Sequence, residues 1–435
     1  MNRRNFLKAL AATGMSLSLP MISSPLSAAA DSNRFWVMVN ASGGWDPTAL
    51  CDPKGNALRS DGRGPINNFA ASAIRTAGNI NYAAYSDTFV PRDTDTDSLD
   101  NFFAKHSGRL QVINGVDVGT NSHSVGSRFV WSGKTDMGNP SLAALISASA
   151  APNKPMSYIS NGGYDFTDSL VSASRISGSS SFNRLAFPNK PSPGGTDRYF
   201  KDEIYDLIQQ AKMDSLQRQR SSEVLNKRRQ KLNELLSARS GTDSLDQIVQ
   251  KLPDNISGGL KGQAEMAAAA FASGLSVSAN LNVGGFDTHS NHDTTQTRSI
   301  NDLLDGIDHL WTELERQGIQ DRTTIMIGSD FGRTPFFNGY NRDSGDLVGT
   351  GGKDHWNVTS VMVMGAGITG NRVIGGTDDL YGARRINPST LAFDDSGILI
   401  TPAHIHKALR RLTGLAGTEL DSRYPVAVDD IPLFT

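Results

Sequence analysis

Cysteine is almost absent from this 435-residue chain: Cys51 is the only one. No internal disulfide can form, so stability rests on a packed core and on any bound metal. There is no Cys-x-x-Cys pair, no haem attachment motif and no dinucleotide fingerprint after the first strand-like run, which argues against a redox protein. An excess of one charge is missing too. Lys and Arg number 42 against 44 Asp and Glu, a net charge of −2, which leaves no basic footprint for nucleic acid. No stretch approaches the roughly 18 apolar residues that a membrane-spanning helix needs, so an integral membrane protein is not expected. No internal repeat recurs at a fixed period.

What is present begins with the leader MNRRNFLKALAATGMSLSLPMISSPLSAAADS. Arg3 and Arg4 precede Phe6, Leu7 and Lys8, then a short apolar run, then Ala28-Ala29-Ala30 as a small-residue cleavage site. This reads as a twin-arginine signal peptide over residues 1–30. The twin-arginine translocase is therefore an expected partner, and a periplasmic or secreted location is expected. That route carries folded cargo, often already loaded with a cofactor.

Residues 31–435 are long enough for one large α/β domain or two smaller ones, and a single domain is expected. Short apolar runs recur as buried strands: RFWVMV, RLQVI, PMSYIS, LSVSANLNV, TTIMIGS and NVTSVMVMG. Helical stretches lie between them. In SINDLLDGIDHLWTELERQG, Leu303, Leu304, Ile307, Leu310 and Leu314 follow helix spacing. This alternation predicts a doubly wound, mostly parallel sheet with helices on both faces. Residues 200–250 differ: they are highly charged, with a sparse apolar stripe, and read as a helical insertion, either a hairpin packed on the sheet or a mobile lid or partner surface. The acidic run FVPRDTDTDSLDNFF lacks the glycine and terminal Glu of an EF-hand loop, and reads as a solvated turn and helix cap.

Ligands of such sheets bind beyond the carboxyl ends of the strands. Asp46, the Ser122–Ser124 loop, Asp287 with His289, and Asp330 all follow strands. His355 comes just before one, so a returning loop must bring it back. The chain has eight histidines. His123, His289, His292 and His355 lie in glycine-rich loops; His106, His309, His404 and His406 lie in helix-like contexts and read as structural. Carboxylates and imidazoles converging from separate loops are what a divalent cation requires. The candidate ligands are Asp46, Asp287, His289, His292, Asp330, Asp354 and His355, and the cation could be zinc, calcium or magnesium.

The segments NSHSVGSRFVWSG, GGFDTHSNH, SDFGRTP and GGKDHWNVTSVMVMGAGITGNRVIGG resemble the bacterial domain-of-unknown-function family 1501. That family is grouped with the alkaline phosphatase and sulfatase-like superfamily. The resemblance implies metal ligands at the carboxyl edge of a doubly wound sheet. It implies Asp46 as a ligand of a second metal, Asp287 with His289 or His292, and His355, as ligands of the first, and Asp330 in the acid–histidine pair between them. Phe331 stands where that pair usually has its histidine. Counting back from Gly133, the nucleophile position falls on His123, flanked by Ser122 and Ser124. Either serine could serve, or no nucleophile remains. The CDPKG stretch at Cys51 is similar to the C-x-P-x-R motif of sulfatases, but Gly55 replaces the arginine, and Cys51 reads as structural. Two functions are implied. One is a metal-dependent hydrolase of phosphate or sulfate esters, on a small molecule or a surface polymer, with Arg128 or Arg333 holding the anion. The other is a non-catalytic binding or assembly protein that keeps the fold.

Overall fold

The computed structural model describes residues 33–83, 98–175, 187–191, 195–240, 245–341, 344–345 and 351–434. The leader at 1–30, and the part of the acidic run up to residue 97, lie outside them. Eight strands form the central sheet: β1 (Phe35–Ala41), β2 (Leu110–Asp117), β3 (Tyr158–Ser160), β4 (Ala173–Ser174), β5 (Ser278–Val283), β6 (Thr323–Ser329), β7 (Val358–Gly365) and β8 (Arg372–Gly375). Their spatial order is β8-β2-β7-β6-β1-β5-β3-β4. Neighbours pair in parallel except β7, which runs antiparallel to both β2 and β6. The sheet is thus mixed but mostly parallel.

Successive side chains of a strand point to opposite faces, and both faces here are apolar. Phe35, Val37 and Val39 of β1 enter one core cluster with Ile325 and Ile327 of β6. Trp36 and Met38 enter the other with Met326. Helices α1 (Ser98–His106), α6 (Gly259–Ala272) and α7 (His292–Arg316) cover the first face; α2 (His123–Ser132), α3 (Leu142–Ala150) and α8 (Pro402–Thr413) cover the second. In α7 the predicted stripe is buried throughout. Strands buried on both sides read as continuous apolar runs, which is how the sequence displayed them.

The charged stretch forms two helices, α4 (Asp202–Ser222) and α5 (Asn226–Ser240). The hairpin expected to pack on the sheet does not bury its stripe. Helix α4 has no buried residue, and Tyr199, Phe200, Ile204, Leu207 and Leu225 stay exposed. The stripe is too narrow, and too interrupted by charge, to compete for either sheet face, one already covered by α6 and the other by α3. Among the described residues, no helix is long and apolar enough to cross a membrane.

Candidate functional site

One sheet edge collects the polar loops. The turns after β1, β2, β5 and β6 leave from the carboxyl ends of the parallel strands. Strand β7 runs the other way, so its first residues lie at the same edge, with Val358 opposite Asp117 at the end of β2. This is how His355, three residues before β7 begins, reaches the site: the strand itself is reversed. Residues His355–Trp356 also pair with Gly332–Arg333 in a short antiparallel bridge. Two glycines allow the loops to close up. Gly43 has φ +118°, and a Cβ there would stand 2.6 Å from the Asp287 backbone nitrogen. A Cβ on Gly352 would overlap the His289 carbonyl.

Four side chains converge at the rim. His289 Nε2 lies 3.0 Å from His355 Nε2. Asp287 Oδ1 lies 3.1 Å from His289 Nε2 and 3.3 Å from His355 Nε2. Asp287 Oδ2 lies 3.6 Å from His123 Nε2. The ligand atoms of His123, Asp287 and His355 all fall within 4.8 Å of one another. Each histidine is tethered through its other nitrogen. His355 Nδ1 donates to the Asn121 carbonyl at 2.8 Å, His289 Nδ1 to Asp354 at 2.7 Å, and His123 Nδ1 to Asp330 at 2.8 Å. A ring whose Nδ1–H is committed presents a bare lone pair at Nε2. Three such lone pairs therefore face one carboxylate. The His123 and His355 rings rest on buried Phe331, with centroids 4.7 and 4.4 Å away.

Electrostatics follow from these partners. Burial pushes the Asp287 carboxyl up, but the Arg333 guanidinium at 2.6 Å outweighs it and brings the carboxyl below its ordinary value. Asp354 is likewise lowered, because His289 and Asn338 outweigh its burial. Asp330 goes the other way: its burial outweighs the attraction of His123. Its Oδ2 also accepts from Gly43 N at 3.2 Å. Its Oδ1 is buried and has no hydrogen-bond partner.

Asp46 and His292, also expected among the ligands, belong to a separate inner pocket. The Asp46 carboxylate is fully buried. Its Oδ1 accepts from Thr48 N at 2.9 Å and Thr48 Oγ1 at 2.6 Å. Its Oδ2 is 2.7 Å from Lys353 Nζ and 3.0 Å from His292 Nε2. The Lys353 ammonium is equally buried and also donates to Asn67 Oδ1 at 2.8 Å. Burial would raise the Asp46 carboxyl, yet Lys353 and His292 hold it well below the usual range. His292 bonds Thr288 Oγ1 through Nδ1, and burial lowers its basicity. An ammonium thus stands where the resemblance implied a second metal ion.

The expected anion clamps are engaged elsewhere. The fully buried Arg333 guanidinium donates to the Gly43, Gly44 and Lys353 carbonyls and to Asp287. A buried guanidinium must satisfy its donors locally, so it serves as a brace for the edge. Arg128 donates to the Thr135 carbonyl. Ser122 precedes α2 and Ser124 lies in its first turn, both exposed, with hydroxyls 3.3 Å apart. Sequence reasoning passed over Lys353, Asn67, Thr48 and the Asn121 carbonyl. Lys353 did leave a signal: a lone lysine between two glycines and the Asp354-His355 pair.

The chain belongs to the family described as protein of unknown function DUF1501, whose model matches residues 34–393. No curated protein matches it in sequence. Solved structures similar in fold include Ps i-CgsB bound to k-i-k-neocarrahexaose, at 8% identity and TM-score 0.37, covering 92% of this chain and 75% of that one. A putative sulfatase from Bacteroides thetaiotaomicron shows 11% identity and TM-score 0.33, covering 92% and 73%. Alkaline phosphatase from the Antarctic bacterium TAB5 shows 11% identity and TM-score 0.31, covering 78% and 93%.

Proposed function

We propose that this chain is an exported, metal-dependent hydrolase of phosphate or sulfate esters, acting on a small molecule or a surface polymer. One observation carries the reading: three histidines, each tethered at Nδ1, turn their Nε2 atoms onto the Asp287 carboxylate. Two bare lone pairs 3.0 Å apart, as on His289 and His355, repel unless a proton or a cation lies between them. Imidazole nitrogens with one carboxylate fit zinc or a similar ion better than calcium or magnesium, which favour oxygen.

His123, His289, His355 and Asp287 would hold the ion, which when bound would polarise an ester oxygen as a Lewis acid. The rest is done by the chain. Asp330, Asp354 and the Asn121 carbonyl fix the tautomer and aim of each ring. Phe331 closes the floor beneath two rings against water. Ser122 and Ser124 stand at the start of α2, where backbone N–H groups favour a developing anion; Ser124 is the favoured nucleophile. The leader supports delivery to the periplasm or beyond by the twin-arginine translocase.

The test is metal analysis of the untagged mature protein together with a panel of chromogenic phosphate and sulfate esters. Turnover that depends on the metal, and is abolished by Ser124→Ala alone, supports the full reading. If the metal-loaded protein hydrolyses nothing on the panel, and His355→Ala changes only stability, the second reading stands: a non-catalytic binding or assembly protein. That alternative is favoured by one observation, the commitment of Arg333 to the fold, which leaves no guanidinium from that loop to hold an anion.

A further inference from the structure

We infer that Lys353 is a built-in cation in place of a second metal ion, so that the chain loads one divalent ion, at the rim. This deepens the reading of the rim as a metal site and rests on it.

Two features of the inner pocket and two of the neighbouring rim agree. Every strong acceptor direction of Asp46 is used: two bonds from Thr48 fill Oδ1, while Lys353 and His292 fill Oδ2. The ammonium is not a stray surface group, since it is wholly enclosed, bonded to Asn67 Oδ1 and 4.9 Å from the centre of the Phe337 ring. A buried ammonium paired this closely already neutralises the one charge the pocket offers, so a dication there would be left in excess charge. Phe331, buried and without a donor atom, faces His123 and His355 where an acid–histidine pair would have supplied another ligand. Finally, Asp330 commits its Oδ2 to His123 Nδ1 and Gly43 N, so only its buried Oδ1 is left without a partner.

Lys353 also reaches the rim through its own backbone. Its N–H donates to the Thr288 carbonyl at 3.0 Å, and its carbonyl accepts from Arg333 at 3.1 Å. The next two residues are Asp354, which holds His289, and His355, which presents its ring. The ammonium thus anchors the strand of chain that positions half of the rim, and Lys353 is a positioning residue.

The experiment titrates untagged, metal-stripped mature protein with zinc, read by bound zinc per chain and by Tm. The wild type is expected to bind one equivalent. His289→Ala should lose it, while Asp46→Asn should keep one equivalent and show a lower Tm that added zinc restores by no more than it raises that of the wild type. Two equivalents in the wild type, with one lost in Asp46→Asn, would overturn the inference and leave the rim reading intact. No zinc bound by the wild type would overturn the rim reading instead. In that event the inner pocket has taken up no zinc either, so the role given to Lys353 is upheld while the single rim ion is refuted.

Discussion

Replacing Lys353 with Met isolates the inner pocket. Methionine fills much of the lysine stem's volume and removes only the charge and its hydrogen bonds. The Asp46 carboxylate, fully buried, would then lose its 2.7 Å ammonium partner and keep Thr48 and His292. Asn67 Oδ1 would lose its 2.8 Å donor as well. Removing one partner of a buried ion pair costs about 3–5 kcal/mol, because the other charge is stranded away from water. The double variant Lys353→Met/Asp46→Asn removes both charges, and should recover most of that loss. Urea unfolding at pH 7 followed by circular dichroism gives the four stabilities of the cycle, with the slope of the transition checked for constancy. A single Lys353→Met variant within about 0.5 kcal/mol of wild type would refute the reasoning, since that is the range of an ordinary surface change.

Other outcomes are expected. His406 is fully buried; its Nε2 donates to the Val130 carbonyl and its Nδ1 has no partner, so burial lowers its pKa to about 3. A folded pKa below the unfolded one means the unfolded chain binds the extra proton first. Stability is then retained above pH 6.5 and falls by up to roughly 4–5 kcal/mol as pH drops towards 3. His406→Gln should flatten that part of the profile in pH-dependent denaturant melts, and an unchanged slope would count against the assignment. His355→Ala should lower zinc affinity at least 10-fold, measured by competition with a chelator. Leu304→Ala, buried in the stripe of α7, should cost about 2–5 kcal/mol in the same unfolding assay. Lys at positions 3 and 4 in place of Arg should strand the protein in the cytoplasm, read by cell fractionation; normal export would remove the twin-arginine reading.

The histidine-bearing loops illustrate how far local pattern reaches. His289 and Asp287 were visible because LSVSANLNV ends in GGFDTH, a strand followed by glycines and titratable groups. His292 looked the same on paper. It sits only three residues from His289, yet the start of α7 turns its ring inward to Asp46, while His289 faces the rim. His289 belongs to the loop and His292 opens the helix, and between them Asn291 takes a left-handed conformation (φ +47°), a backbone turn that the composition of a loop does not encode. Arg333 failed for a related reason. Its motif SDFGRTP lies at the edge where the polar loops gather, but whether a guanidinium meets a ligand or the backbone depends on which carbonyls surround it. The apolar stripe of α4 shows the converse. Its spacing gave the helix, and only competition for sheet surface left it exposed.

Taken alone, the chain's order of apolar runs determined a layered α/β architecture, because strands buried on both faces must be continuously hydrophobic and the intervening amphipathic segments must cover them. It also determined that acids and histidines would gather at one edge, since they follow strand ends. Tertiary structure decided how they were divided. The reversal of β7 brought His355 to the carboxyl edge, and close packing at Gly352 pressed its loop onto His289. Lys353, two residues before that histidine in sequence, was folded inward onto Asp46. The division rests on burial: deep in the edge a carboxylate needs a permanent countercharge, while at the half-exposed rim imidazole lone pairs stay open to an ion from solution.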